Sequence, residues 1–273
     1  MRKSLTLTRH SEPDNHSAAK NPYEISKRFF GRIRSLRMTE GFTLAEVLIT
    51  LGIIGVAAAL TMPSLVQNYR KRVVETRLAK FYSVMNQAVK LSEVENGDKE
   101  EWEQIPTDKD ELSEWYDKYL AKYIISTKTE AVILNFDDLT KPPNSDGSLV
   151  HEAVDDFIIY FSDGSAGLIG STHVYFFPNA KDADILKSSN NYKGEAEYGK
   201  AMFVFHFYPN SSNIYHKGKG FEPYKWGWDG TEAMLRNDTV YGCNKNSLNE
   251  AGYCAALIQL NGWKIPDDYP FKF

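Results

Sequence analysis

One carboxylate stands alone in a long apolar segment near the start of the chain. Glu46 is the only charged residue among the 19 residues from Phe42 to Leu60. A charge at the centre of a bilayer costs roughly 2.5–3.5 kcal/mol on insertion scales. Thr43 and Glu46 match the capping box, in which the two side chains satisfy free N–H groups at a helix start. The alternative is that Glu46 pairs with an amine, which would offset the cost of burying both charges.

Cys243 and Cys254 are the two cysteines of the chain. Outside the cytoplasm, two thiols this close in sequence are expected to form a disulfide, because no reducing pool acts on them. Closing such a short loop would stabilise the fold by about 3 kcal/mol in the chain-entropy model. If the chain stays in the cytoplasm, two unpaired thiols are expected instead.

Other residues match patterns for catalysis or metal binding only in part. The segment His151–Asp155 begins like the zinc-binding pattern H-E-x-x-H but has an aspartate in place of the second histidine. The chain shows no nucleophile elbow, P-loop or dinucleotide motif. Asp182 with Asp184, or Asp229 with Glu232, could coordinate calcium, although they lack the ordered spacing of an ion-binding loop. We therefore expect no enzyme, and no cofactor or metal other than such a calcium ion.

A long helix must position Glu46. The run from Phe42 to Leu60 falls within the ~17–25 residues that cross a bilayer as a helix. Pro63 should kink this helix without necessarily ending it. Beyond it, apolar residues recur at steps of three to five and predict an amphipathic continuation to Glu95, with a turn at Gly97. The predicted stripe comprises Val66, Tyr69, Val73, Leu78, Phe81, Met85, Ala88 and Leu91.

The rest of the chain predicts a short second helix and an antiparallel sheet. The helix is expected over 111–124, and residues 210–254 are expected to form a loop. Asp163-Gly164 predicts a hairpin turn, since both types favour positive φ. Within the sheet, His206 is expected to be a packed or edge residue and not a base. The predicted strands are 131–134, 156–162, 167–169, 174–177 and 202–208. The fold class is therefore α+β.

Charge is distributed unevenly along the chain. Residues 1–41 carry nine Lys or Arg and four Asp or Glu, while the whole chain has a net charge of -4. A basic segment before an apolar run favours keeping the front of the chain in the cytoplasm. The rest of the chain is acidic, which argues against nucleic acid as the main partner, because phosphate binding needs clustered basic residues.

Gly41, Phe42, Glu46 and the apolar run together resemble the processing site of type IV prepilins and type II secretion pseudopilins. In that family a prepilin peptidase cuts after the residue matching Gly41, and the residue matching Phe42 becomes the N-methylated first residue. Glu46 matches the acid used in assembly, and Pro63 matches a proline that kinks the helix in many type IV pilins. The close resemblance covers about residues 37–70.

The resemblance implies a domain plan and a set of partners. Residues 1–41 would be a cytoplasmic leader, 42–62 a transmembrane and assembly helix, 63–97 its amphipathic continuation, and 98–273 an extracytoplasmic head with a C-terminal disulfide loop. The protein would sit in the bacterial inner membrane as a single-pass protein and then enter a pilus or pseudopilus. Its partners would be membrane lipid, prepilin peptidase, other subunits, and the inner-membrane platform and ATPase. A minor pilin or pseudopilin is favoured.

Other interpretations of the apolar run stay open. It could be a secretory signal peptide cut near Ala59, although 19 residues exceed the usual apolar core of about 7–15. It could also be an uncleaved anchor. The alternative function is that of a membrane-anchored extracytoplasmic adhesin or enzyme that does not assemble into a filament.

Overall fold

A long helix, α1 (Leu44–Asn96), begins the part of the chain that the computed structural model describes, which comprises residues 42–137, 151–188, 197–248 and 251–273. The helix continues through Pro63. It is followed by Gly97 at a φ of 79°, which glycine adopts without a steric penalty. Internal contacts divide the chain into residues 1–57 and residues 58–273. We call the second the sheet unit.

The buried face of α1 starts later along the helix than the sequence predicted. The prediction is right at Phe81 and Met85 but wrong at Val66, Tyr69 and Leu91, which are exposed. Apolar spacing shows that a helix has a buried face, but it does not show where the covering structure begins. The buried residues of α1 are Val74, Glu75, Leu78, Phe81, Met85, Ala88, Val89 and Ser92.

The described strands form one six-stranded sheet in which every strand is antiparallel to the next in chain order. This confirms the predicted α+β class. Gly164, at a φ of 80°, lies in the turn between the second and third strands, where the sequence placed a hairpin. The strands are β1 (Ser126–Asp137), β2 (His151–Phe161), β3 (Ala166–Gly170), β4 (His173–Phe177), β5 (Phe203–Phe207) and β6 (Phe221–Pro223).

Short helices surround the sheet, and two of the sequence predictions about them are corrected. The second helix, α2, ends at Tyr119, and a separate 3-10 turn (Ala121–Tyr123) follows it. The predicted loop 210–254 contains strand β6 and a helix, α4, that begins after its N-cap Thr231. The helices after α1 are α2 (Lys109–Tyr119), α3 (Ala180–Ser188), α4 (Glu232–Asn237) and α5 (Cys254–Leu260).

The two faces of the sheet bury separate cores. Alternate residues of a strand point to opposite faces, so Phe157 and Ile159 of β2 join the larger core with α1, α2 and α5. Ile158, between them, joins a smaller core that includes Ala183 and Leu186 of α3. The sheet is therefore covered on one side by α1 and on the other by α3.

Phe81 packs α1 against the sheet. Its ring stacks on Phe176 at a centroid distance of 4.5 Å and meets Phe205 edge-on at 5.0 Å. Gly167 leaves room for it, because a Cβ atom there would lie 3.2 Å from the Phe81 ring. This close packing fixes the rotation of α1 over the centre of the sheet.

Polar groups of α1 complete its attachment within the sheet unit. The buried Glu75 carboxylate accepts hydrogen bonds from the backbone N–H of Ile265 (2.9 Å) and from Lys264 Nζ (3.1 Å). Asn86 Nδ2 donates to the carbonyl of Phe221 in β6 at 2.8 Å. A buried carboxylate needs such donors, since an unpaired one would be costly.

Candidate functional site

The start of α1 carries a band of apolar side chains that nothing in the described chain covers. Phe42 is 86% exposed, and the apolar residues from Leu44 to Met62 are also largely exposed. Among the described residues, α1 is the one helix long and apolar enough to cross a membrane. Apolar surface of this extent is unfavourable in water and needs lipid or another protein surface to cover it.

Thr43 and Glu46 form a capping box at the start of α1. The Glu46 carboxylate accepts from the Thr43 backbone N–H at 2.8 Å and from the Thr43 hydroxyl at 2.9 Å. In return, the Thr43 hydroxyl accepts from the Glu46 N–H at 3.2 Å. These hydrogen bonds confirm that Thr43 and Glu46 cap the start of the helix. A hydroxyl and an amide do not neutralise the carboxylate, so the cap leaves its negative charge in place.

The remaining predicted processing residues divide between described and undescribed parts of the chain. Gly41 and the leader 1–41 lie outside the described residues. Phe42 is described, and it precedes the first turn of α1. Pro63 lies inside α1, where its missing N–H leaves the carbonyl of Ala59 without the usual helical donor. Within the described part of the predicted processing site, Glu46 contacts Thr43 at the helix start.

The predicted disulfide is present. Cys243 and Cys254 are bonded, with their Cα atoms 4.6 Å apart, and both are buried. The bond joins the segment after α4 to the first residue of α5. The cysteine spacing and the resemblance both predicted this bond, and its position holds the C-terminal helix to the larger core.

Three of the four acids proposed as calcium ligands are engaged by protein groups. Asp184 accepts from the Tyr160 hydroxyl and pairs with Lys187, and Asp229 accepts from the backbone and hydroxyl of Thr231. Glu232 pairs with Arg236. Asp182 has a pKa raised by burial and by the nearby Glu197. Within the described ranges, no three His, Cys, Asp or Glu side chains could together hold a metal ion.

His206 is a packed residue at the centre of three histidines. It lies directly opposite His173 across β4 and β5, and its ring centroid is 4.8 Å from those of both His173 and His216. Burial lowers the pKa of His206 to about 2, with further lowering by the other two rings. Burial, with nearby lysines, lowers the pKa of His216 to about 4. These rings are therefore neutral at neutral pH and pack as aromatic groups.

A buried acid on the same face of the sheet as His206 escaped the sequence analysis. Asp156 of β2 is 2% exposed, and its Oδ2 atom has no hydrogen-bond partner in the described chain. Burial, with the nearby Asp155, raises the pKa of its carboxyl group to about 8. It packs against Gly170, where a Cβ atom would lie 1.8 Å from Oδ1. The sequence pattern of a strand does not show whether an acid within it is buried or exposed.

The sequence analysis also missed a buried polar cluster built from three distant parts of the chain. Lys225 Nζ pairs with Glu222 Oε2 at 3.3 Å and donates to Gln259 Oε1 at 2.5 Å. The Tyr82 hydroxyl donates to the other Glu222 oxygen at 2.9 Å. Lys225 and Glu222 are both 8% exposed. We call Tyr82, Glu222, Lys225 and Gln259 the lysine cluster.

The surroundings of Lys225 in the lysine cluster favour the neutral form of its amine. Burial lowers the pKa of Lys225, against the raising effect of Glu222. Burial and the Glu222 charge raise the pKa of Tyr82 to about 12, so its hydroxyl stays protonated and donates. Only the spacing of Glu222 and Lys225 was visible in the sequence, because α1 and α5 supply the other two members.

Comparison with known proteins assigns a family without a function. A family model described as a family of unknown function (DUF6613) matches residues 64–273. No curated protein and no solved structure matches the chain. The match begins directly after Pro63, so it covers the sheet unit from that point but not the apolar start of α1. The chain belongs to this family.

Proposed function

We propose that this member of the DUF6613 family is a pilin-like structural subunit, anchored in the bacterial inner membrane and assembled into a type IV pilus or a type II secretion pseudopilus. The observation that carries the proposal is the position of Glu46. It is the only charged residue in the run Phe42–Leu60, and it lies in the first turn of the helix. A minor pilin or pseudopilin is favoured over a major subunit, because the predicted head is large.

The exposed apolar band supports membrane insertion followed by transfer into a filament. Residues 42–62 span roughly 30 Å at 1.5 Å per residue, which matches the hydrocarbon core of a bilayer. Lipid would cover these side chains before assembly, and the same helices of other subunits would cover them afterwards. The exchange costs little, because lipid tails and apolar side chains are similar environments.

Glu46 supplies the specific contact of this proposal. Removal of residues 1–41 by prepilin peptidase would create a positive α-amino group on Phe42, one residue before Thr43, and Phe42 would then be N-methylated. In the assembled state the carboxylate of one subunit would pair with the amine of its neighbour. Neutralisation is worth most in the apolar core of a filament, where an unpaired charge costs several kcal/mol.

The other parts of the chain have supporting roles. The platform protein and ATPase of the inner membrane would extract the subunit, and the sheet unit would lie outside the cytoplasm. There the Cys243–Cys254 bond would resist reduction. Secretion through a type II system is the alternative setting to a pilus, and both use the same helix chemistry.

Matched variants of the capping box separate capping from charge pairing. Glu46→Gln keeps an oxygen that can accept from Thr43 but removes the charge. Thr43→Ala removes both hydroxyl bonds and leaves the charge in place. We expect Glu46→Gln to insert normally and to lose filaments, measured by shearing and immunoblotting of the native cells. Thr43→Ala should retain filaments, with a helix weakened by about 1 kcal/mol.

The reverse pattern would contradict the proposal. Filaments that survive Glu46→Gln but not Thr43→Ala would show that Glu46 acts only as a helix cap. Normal insertion with no filament in the wild type would instead favour a membrane-anchored adhesin or enzyme, the second interpretation of this sequence.

A further inference from the structure

We propose that the side chains of Lys225 and Gln259 join in an intramolecular isopeptide bond, with Glu222 as the group that moves the proton. The proposal concerns the lysine cluster of the sheet unit and does not depend on filament assembly. It assigns a covalent modification to a site that a simple ion pair would otherwise explain.

The reacting groups are already in contact. Lys225 Nζ donates a hydrogen bond to Gln259 Oε1, which places the amine nitrogen beside the amide whose carbon it would attack. The same nitrogen lies 3.3 Å from Glu222 Oε2. Holding reactants at about 3–3.5 Å replaces an encounter between separate molecules and accounts for much of the acceleration of intramolecular reactions.

Burial gives the amine the form that the reaction needs. An ammonium group is not a nucleophile, and removal of Lys225 from water favours the neutral amine. Glu222 is buried beside it and can take its proton. Tyr82 donates to Glu222 Oε1, which orients the carboxylate with Oε2 toward the lysine. The Trp228 ring, 5.8 Å from Nζ, forms part of the same enclosure.

The step balances without an oxidant or another reactant. Glu222 first takes one proton from the Lys225 ammonium. The Nζ lone pair then attacks Gln259 Cδ, and a new N–C bond forms. Glu222 delivers its proton to Nε2 of Gln259, and the Cδ–Nε2 bond breaks. The product is a secondary amide, and the second amine proton leaves with the nitrogen as an ammonium ion. Gln259 is half-buried, so the ammonium ion has a short path to solvent.

The bond would enclose the disulfide. Lys225 follows β6 and Gln259 lies in α5, and the pair brackets both Cys243 and Cys254. The C-terminal helix would then be held by two covalent links of different chemistry. Only the disulfide is broken by a thiol, so reduction would leave α5 attached through the amide.

Peptide mapping of the full chain tests the proposal directly. The protein is purified in detergent, reduced, alkylated and digested, and the peptides are sequenced by tandem mass spectrometry. We expect one branched peptide that contains both Lys225 and Gln259, lighter than the sum of its parts by one ammonia. Glu222→Gln, which keeps the size of the side chain, should reduce its yield at least tenfold. Lys225→Met should abolish it.

Lys264→Arg is the matched control, because Lys264 also pairs with a buried acid, Glu75, but donates to no side-chain amide in the described chain. This variant should keep the branched peptide at the wild-type level. Quantitative recovery of the two separate, unmodified peptides from folded, disulfide-bonded wild type would overturn the proposal and leave a buried ion pair. A branched peptide formed equally in Glu222→Gln would overturn the role of Glu222.

Discussion

Acidification should destabilise the sheet unit, with a slope set by buried histidines and one buried aspartate. His206 and His216 have pKa values of about 2 and about 4, below the 6.5 of an ordinary histidine. As the pH falls below 6.5, the unfolded chain therefore binds protons that the folded chain does not. Each of the two groups then removes about 1.4 kcal/mol of stability per pH unit. His173, whose pKa is also lowered by burial, acts in the same direction.

Asp156 acts in the opposite direction over the same range. Its pKa is raised from 3.8 to about 8, so between these values the folded chain holds a proton that the unfolded chain lacks. Its contribution is fully present below pH 3.8 and is lost as the pH rises through 8. Between pH 6.5 and about 4.5 it offsets one histidine, so the two named histidines and Asp156 together give a net loss near 1.4 kcal/mol per pH unit.

Two substitutions change that slope in opposite senses. Asp156→Asn removes the offset and should steepen the loss by about 1.4 kcal/mol per pH unit. His206→Phe, which keeps an aromatic ring, should reduce it by the same amount. The assay is urea unfolding of the full chain in detergent, followed by tryptophan fluorescence at several pH values. The slope is the readout, so a constant loss of stability in either variant does not matter. Equal slopes in all three proteins would refute the argument.

Three further changes test the packing. Phe81→Ala should cost about 3–5 kcal/mol in urea unfolding, because the ring is enclosed by the sheet; Tyr69→Ala, on the exposed part of the same helix, should cost less than about 0.5. Cys243→Ser should lower stability by about 3 kcal/mol, and a thiol should not lower it further; a further loss would point to strain elsewhere. Gly170→Ala should cost at least about 1–3 kcal/mol, since its Cβ would overlap the carboxyl group of Asp156; wild-type stability would show that this carboxyl moves freely.

The sequence predicted the elements that local patterns determine. The helix was expected over 42–95 and runs from Leu44 to Asn96, because the apolar run, the capping pair and Gly97 are all local signals. The hairpin at Gly164 followed from its preference for positive φ. The disulfide followed from cysteine count and spacing. In each case the deciding interaction joins residues close in sequence.

Features that depend on contacts distant in sequence were not predictable. Tyr69 and Phe81 lie on the same apolar pattern, but only Phe81 faces the sheet. Strand β6 has three residues and owes its place to pairing with β5, so no alternation could reveal it. The lysine cluster gathers positions from 82 to 259, and its chemistry exists only after the chain has folded.

The mass of the mature N-terminus tests the central claim most directly. The protein is isolated from membranes of its native cells and its first peptide is sequenced by tandem mass spectrometry. The proposal predicts a chain that begins at Phe42 with one methyl group on the α-amino nitrogen. A first residue after Ala59, or a chain that still carries residues 1–41 in otherwise functional protein, would contradict it.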